Sequence, residues 1–312
     1  MRAPTPALIR CLGSPVVPER PALLSSALLP TALLRPARVA LVVLVGLLAL
    51  LVGPTGPVGA ATVPARGSTA TGSDISWPNC PLGMGIAQRP TLNKPMPIRS
   101  ANFVIMGLTN GPAFSPNPCL ASQVRWVTAR HLWGGAYSIV SYPNSAELAK
   151  YGGAGTLQQR LTRVGRTQAA RNIAVMRKAG LRAPMVWVDV EPVKGWPWSA
   201  DVAANNTLID GVLAGYRAAG VRTGLYSYAY GWKQITGGRQ LPTVPIWATS
   251  GKNSAAAAAA RCTTGRFSGG PVWLAQWSDG ERDYNLTCPG VTGTPGGAKR
   301  AAGVMRSMFV PT

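Results

Sequence analysis

Asp189 and Glu191 stand two residues apart in the run PMVWVDVE, residues 184–191. In a strand, alternation sends both side chains to the same face. Two carboxylates held together away from water resist carrying two charges, so one keeps its proton near neutrality and can donate it. Glycoside hydrolysis needs such an acid at the leaving oxygen. It also needs a second carboxylate that answers positive charge developing on the sugar or orients an internal nucleophile. Structural ion pairs gather acids too, and a salt bridge to nearby arginines is the competing reading of a bare D-x-E. Asp+Glu number only 10 in 312 residues, against 31 Lys+Arg, so the position of each carries weight. Asp74 and Asp283 also fall in candidate strands.

Flat rings stand near these acids. Trp77, Trp196, Trp198 and Trp277 each follow or end a candidate strand, where they could stack on sugar faces. Trp187, Trp247 and Trp273 lie mid-strand and read as core. The one histidine, His131, gives little basis for a catalytic triad or a His-rich zinc site. No cofactor and no metal is expected. The formal charge of +21 predicts attraction to polyanions, either nucleic acid or anionic wall polymer. No recognition helix, zinc finger or RNP-like sequence accompanies it, which argues against nucleic acid.

The elements that must position these residues are legible as alternation. Strand candidates fall at 73–77, 102–108, 135–142, 184–191, 222–228, 244–249, 271–277 and 282–286, with helical patterns between them. The clearest helix is 156–179, with Leu157, Leu161, Val164, Ile173 and Met176 at helical spacing. Asp201 reads as the cap of the next helix and Gly220 as its end. Eight strands in a βα order predict an α/β fold, a (β/α)8 TIM-type barrel with irregular last units, whose C-terminal rim is where active sites are built.

Residues 39–53, VALVVLVGLLALLVG, follow Arg35 and Arg38 and precede the small residues VGAAT. That order predicts a signal peptide over 1–61, and the run is shorter than the roughly 20 residues of a membrane span. Residues 62–72 read as a linker, 73–288 as the domain and 289–312 as a flexible tail. The expected product is secreted or wall-associated, without stable membrane insertion. Cys80, Cys119, Cys262 and Cys288 remain after cleavage, and an even number in an exported chain argues for two disulfides. Three pairings exist. Sequence proximity favours Cys80 with Cys119 and Cys262 with Cys288, while a four-cysteine zinc site is disfavoured by the absence of C-x-x-C.

The chain resembles the lysozymes of glycoside hydrolase family 25 and the neighbouring secreted glycoside-hydrolase-like family of unassigned function. The resemblance covers residues 74–286. It rests on Asp74-Ile75-Ser76-Trp77, Asp189-Val190-Glu191, Leu225-Tyr226-Ser227, Ala275-Gln276-Trp277 and Asp283-Tyr284-Asn285. It implies Glu191 as general acid, Asp189 as orienter of a substrate acetamido group or direct stabiliser, and Asp74 and Asp283 as supporting carboxylates. Tyr226 and Asn285 would contact sugar. Leu108-Thr109-Asn110-Gly111, Ala136-Tyr137-Ser138 and the four cysteines depart from the lysozyme pattern toward the unassigned relative. The expectation is a glycosidase, muramidase-like, whose partner is cell-wall glycan such as peptidoglycan. The alternative is a non-catalytic carbohydrate-binding protein on the same barrel.

Overall fold

The computed structural model describes residues 69–292 and 298–312, all within the compact unit Thr55–Thr312. The expected signal peptide and most of the linker lie outside the described residues. Among the described residues no helix is long and apolar enough to cross a membrane.

Eight strands close into a barrel: β1 Thr71–Ile75, β2 Phe103–Gly107, β3 Trp133–Ile139, β4 Met185–Asp189, β5 Arg222–Ser227, β6 Ile246–Lys252, β7 Val272–Ser278 and β8 Asp283–Thr287. Pairing runs β3-β2-β1-β8-β7-β6-β5-β4 and returns to β3. Strands β1 to β7 form parallel neighbours wherever they pair, but β8 is antiparallel to both β7 and β1. The sequence expectation of a βα unit here fails because Asp279–Arg282 is a tight turn. Asp279 Oδ1 accepts from the backbone N–H groups of Glu281 and Arg282, leaving no chain for a helix. This reversal has a consequence for the site. The first residue of β8, Asp283, lies at the same rim as the last residues of the parallel strands.

The helices are α1 Leu120–Thr128, α2 Ser145–Gly152, α3 Leu157–Lys178, α4 Val202–Ala218, α5 Ala229–Thr236 and α6 Ala255–Thr264. Asp201 caps α4 as expected, its Oδ1 accepting from Ala203 and Ala204 N–H. Helices α3 and α4 approach each other through glycine. A Cβ on Gly165 would stand 2.4 Å from Leu208 O, and one on Gly211 2.6 Å from Thr162 O. Their apolar faces cover one barrel surface, packing Val164, Ile173, Leu208 and Val212 with Val104, Val186 and Val188.

The lumen holds a second core, including Phe103, Ile105, Met185, Trp187, Trp247 and Leu274. Trp187 and Trp247 are fully buried, as their mid-strand positions predict. Gly224 makes room for the Trp187 ring, which a Cβ would approach to 2.3 Å.

Two boundaries differ from the sequence reading. Thr71 and Gly72 belong to β1 rather than to a linker. Beyond the short helix Pro289–Thr292, the expected tail forms a helix, Ala298–Met308, and Val310 pairs with Gly134 of β3. Met305, Met308 and Phe309 are buried, and Phe309 stacks on Phe103 with ring centroids 4.7 Å apart. The glycine- and proline-rich stretch before them masked this apolar anchor. Both disulfides form in the pairing favoured by proximity, Cys80–Cys119 and Cys262–Cys288.

Candidate active site

Register places the acids before any side chain is considered. Asp74 and Asp283 are Cα partners across β1 and β8, and Asp189 ends β4 beside Tyr226 of β5. Glu191 follows two residues later. Its segment is pinned, since Val190 N donates to Tyr226 O, and Ser227 Oγ donates to Val190 O at 2.6 Å. Trp198 Nε1 donates to Glu191 O at 3.0 Å, tying the following loop down.

Asp74 is held from two strands. Its Oδ1 accepts from Gln276 Nε2 at 2.9 Å and from Asn285 Nδ2 at 2.7 Å. Gln276 Oε1 in turn accepts from Tyr226 OH at 2.8 Å, and Asn285 Oδ1 accepts from Trp247 Nε1 at 2.7 Å. One polar chain therefore links β5, β7, β1, β8 and β6 beneath the rim. Such a network fixes each group in place.

The carboxylates act on one another. Burial, then the charge of Asp283, pushes Asp74 up to about 8 against the pull of its two amide donors. Burial raises Asp189 well above the ordinary carboxylate range, and the charges of Glu191 and Asp74 add to it. Its Oδ1 is buried without a hydrogen-bond partner among the described residues. Glu191 is raised to about 7 by burial, lowered by Arg89 and raised by Asp283. Asp283 is raised by burial, while the Ser278 hydroxyl and Lys94 oppose the shift. All four expected acids thus share one electrostatic neighbourhood. Glu191, Asp283, Tyr226 and Gln276 line a cavity of about 590 Å³ at that rim.

The aromatic expectations divide. Tyr226 lines the cavity. Trp77 and Trp196 flank the Arg89 guanidinium, which lies 5.7 and 5.1 Å from their ring centroids and donates to Lys194 O. Trp196 and Trp198 line a neighbouring hollow of about 370 Å³ with Pro192 and Ile235. Two expectations are corrected. Asn285 is fully buried in the polar chain and positions Asp74 instead of meeting a ligand. Trp277 has the strand parity opposite to Gln276, so it lies on the other face of β7, stacked on Tyr284 with centroids 5.2 Å apart.

Gln276 entered the sequence reading only as part of a motif, yet it joins Asp74 to Tyr226. The two-residue period from Leu274 was the signal that could have found it. Tyr228, Thr249, Lys252 and Arg89 were missed because loop and strand-end residues carry no periodic mark, and Arg261 because a lone arginine after an alanine run reads as a solvated helix position.

The sequence profile of the family described as lysozyme-like protein 1 matches residues 151–267, which include Asp189, Glu191 and Tyr226. A curated relative, lysozyme-like protein 5 of Caenorhabditis elegans, is 30% identical over 70 residues, 22% of this chain and 31% of its own. The chain thus spans about a third of the curated relative it matches. Among solved structures, the muramidase of Acremonium alcalophilum aligns with a TM-score of 0.48 at 17% identity, covering 76% of this chain and 99% of its own. The lysozyme of Streptomyces coelicolor aligns at 0.47 and 16%, covering 77% and 97%. The autolysin LytC of Streptococcus pneumoniae, solved with a synthetic peptidoglycan ligand, aligns at 0.45 and 13%, covering 70% of this chain and 46% of its own.

Proposed function

We propose that the protein is an exported glycoside hydrolase of cell-wall polysaccharide, muramidase-like, with Glu191 as general acid. The observation that carries this reading is Glu191 itself. It is half-buried on the wall of an open cavity and holds its proton up to about pH 7, among three other raised carboxylates. A group protonated near working pH and open to a ligand suits proton donation to a glycosidic oxygen. The bond from anomeric carbon to that oxygen breaks, the oxygen leaves with the Glu191 proton, and water supplies the hydroxyl to the sugar while its other proton restores Glu191.

Asp189 fits the orienting role. Its buried, unpartnered oxygen can accept the N–H of an acetamido group, which would satisfy a polar atom otherwise left bare. Asp74 and Asp283 would support the charge balance, and Tyr226 would line the sugar site. The two disulfides fit an oxidising compartment, as export requires. The match to the lysozyme-like family adds support for a wall glycan as substrate.

Release of reducing ends from purified peptidoglycan tests the assignment. The Glu191→Gln variant is expected to lose about 10²–10⁴-fold in rate with binding retained. Equal release by both proteins rejects Glu191 as the acid. Binding without release by the parent favours the carbohydrate-binding alternative.

A further inference from the structure

Lys252 and Arg261 line the same cavity of about 590 Å³ as Glu191, Tyr226 and Asp283. They reach it from different elements, the end of β6 and the second turn of α6. Arg261 also borders a second hollow of about 200 Å³, which shares Tyr228 and Thr249 with the first and extends to Tyr230 and Phe267. Arg261 therefore lines both hollows, and the second has no carboxylate among its lining residues.

Other cations of this rim are engaged. Arg89 lies between Trp77 and Trp196 and donates to Lys194 O, Lys94 Nζ donates to Gly280 O at 3.0 Å, and Arg282 Nε donates to Met96 O at 3.0 Å. Lys252 and Arg261 make no side-chain hydrogen bond among the described residues, where the one ion pair is Arg239–Asp210. Arg89 lowers Glu191 and Lys94 opposes the rise of Asp283, so those two carboxylates already have cations acting on them.

The backbone beneath Lys252 departs from regular pairing. The register between β6 and β7 shifts from Thr249 to Lys252, and Gly251 adopts φ +69°. A bulge of this kind re-aims a side chain at a strand end, and glycine supplies the left-handed conformation it needs.

We infer that Lys252 and Arg261 form an oxyanion subsite that takes a carboxylate or phosphate group carried by the glycan beyond the sugar at Glu191. The inference rests on the glycan reading of the cleft and names its substrate class: an anionic polysaccharide. A guanidinium presents paired donors that match either oxyanion, and the ammonium adds a second charge.

The test is direct titration in the Glu191→Gln background, which separates binding from turnover. Four probes are compared: glycan strands of purified peptidoglycan with free carboxylates, the same strands after amidation, wall fragments retaining phosphate polymer, and those fragments stripped of phosphate. The added Lys252→Gln and Arg261→Gln substitutions are expected to weaken binding of one anionic probe about tenfold, leaving its neutral counterpart within twofold. The Arg261→Lys variant should recover part of the loss, and the probe that loses affinity identifies carboxylate or phosphate. Equal losses on charged and neutral probes, no loss at all, or a parent that binds none of the four overturns the subsite. Charge-selective binding in a parent that releases no reducing ends sinks the hydrolase reading and leaves the subsite standing. Hydrolysis without charge selectivity does the reverse.

Discussion

One lumen runs through the barrel, and its two ends are built on opposite terms. At the carboxylate rim, Asp74, Asp189, Glu191 and Asp283 sit where burial opposes their ionisation. At the far end, Phe309 stacks on Phe103 and lies so close to Gly135 that a Cβ there would stand 2.7 Å from its ring. Met305 and Met308 complete that plug, and Arg306 lies over the Trp133 ring at 5.5 Å. One end stores unfavourable charge in a fixed array; the other contributes apolar burial that offsets it. The contrast accounts for why the C-terminal segment after β8 is built into the barrel.

Breaking the plug should have the largest effect. The Phe309→Ala variant removes a buried ring from the lumen, and such truncations cost about 3–5 kcal/mol through lost burial and cavity formation. Chemical denaturation of both proteins at one pH measures it. A cost below about 1 kcal/mol, within the range of surface changes, would mean that the segment is an appendage and the comparison fails.

The opposite end makes the reverse prediction. A carboxyl raised from 3.8 to about 8 binds a proton in the folded state that the unfolded chain has released, so its stabilising effect is full below about pH 4 and is lost as pH rises through 8. The Asp74→Asn variant keeps an oxygen for Gln276 and Asn285 but cannot ionise. It should match the parent at pH 4 and exceed it by a few kcal/mol at pH 8.5, the order of magnitude that such a shift implies. A stability difference that does not change with pH contradicts the raised value.

How much of this was legible follows the same division. The acids could be read because a D-x-E in an apolar run forces two carboxylates onto one face, and the strands around it carried their own β-branched and aromatic signal. The eight-strand barrel and both disulfide pairings were accessible for related reasons, since alternation and loop length are properties of local sequence. The antiparallel β8 was not, because strand direction depends on whether a turn or a helix precedes it, and Asp279–Arg282 is too short to announce either. Phe309 escaped notice because a lone apolar cluster after glycines and prolines reads as tail until its tertiary partner, Phe103, is known. Asn285 was assigned to the ligand by its motif. Its burial was a tertiary fact: Trp247 and Asp74 together occupy both ends of its amide.

The smallest predicted effect sharpens the picture of the carboxylate rim. Arg89 lies in the disulfide-stapled segment between β1 and β2, yet its guanidinium is held by Trp77, Trp196 and Lys194 O, and its charge lowers Glu191. It therefore joins that segment to the loop after β4 and also sets the point at which the acid loses its proton. The Arg89→Gln variant removes the charge, so the Glu191 value must move up from about 7; with Glu191 as the proposed general acid, the alkaline fall of activity is expected to move to higher pH. Arg89→Lys keeps the charge and sacrifices the planar stacking on the indoles. If Arg89 acts through its field, Lys restores the parent profile while Gln does not. If it acts only by bracing the two loops, both variants lower the rate across the whole pH range and leave the position of the alkaline limb where it was.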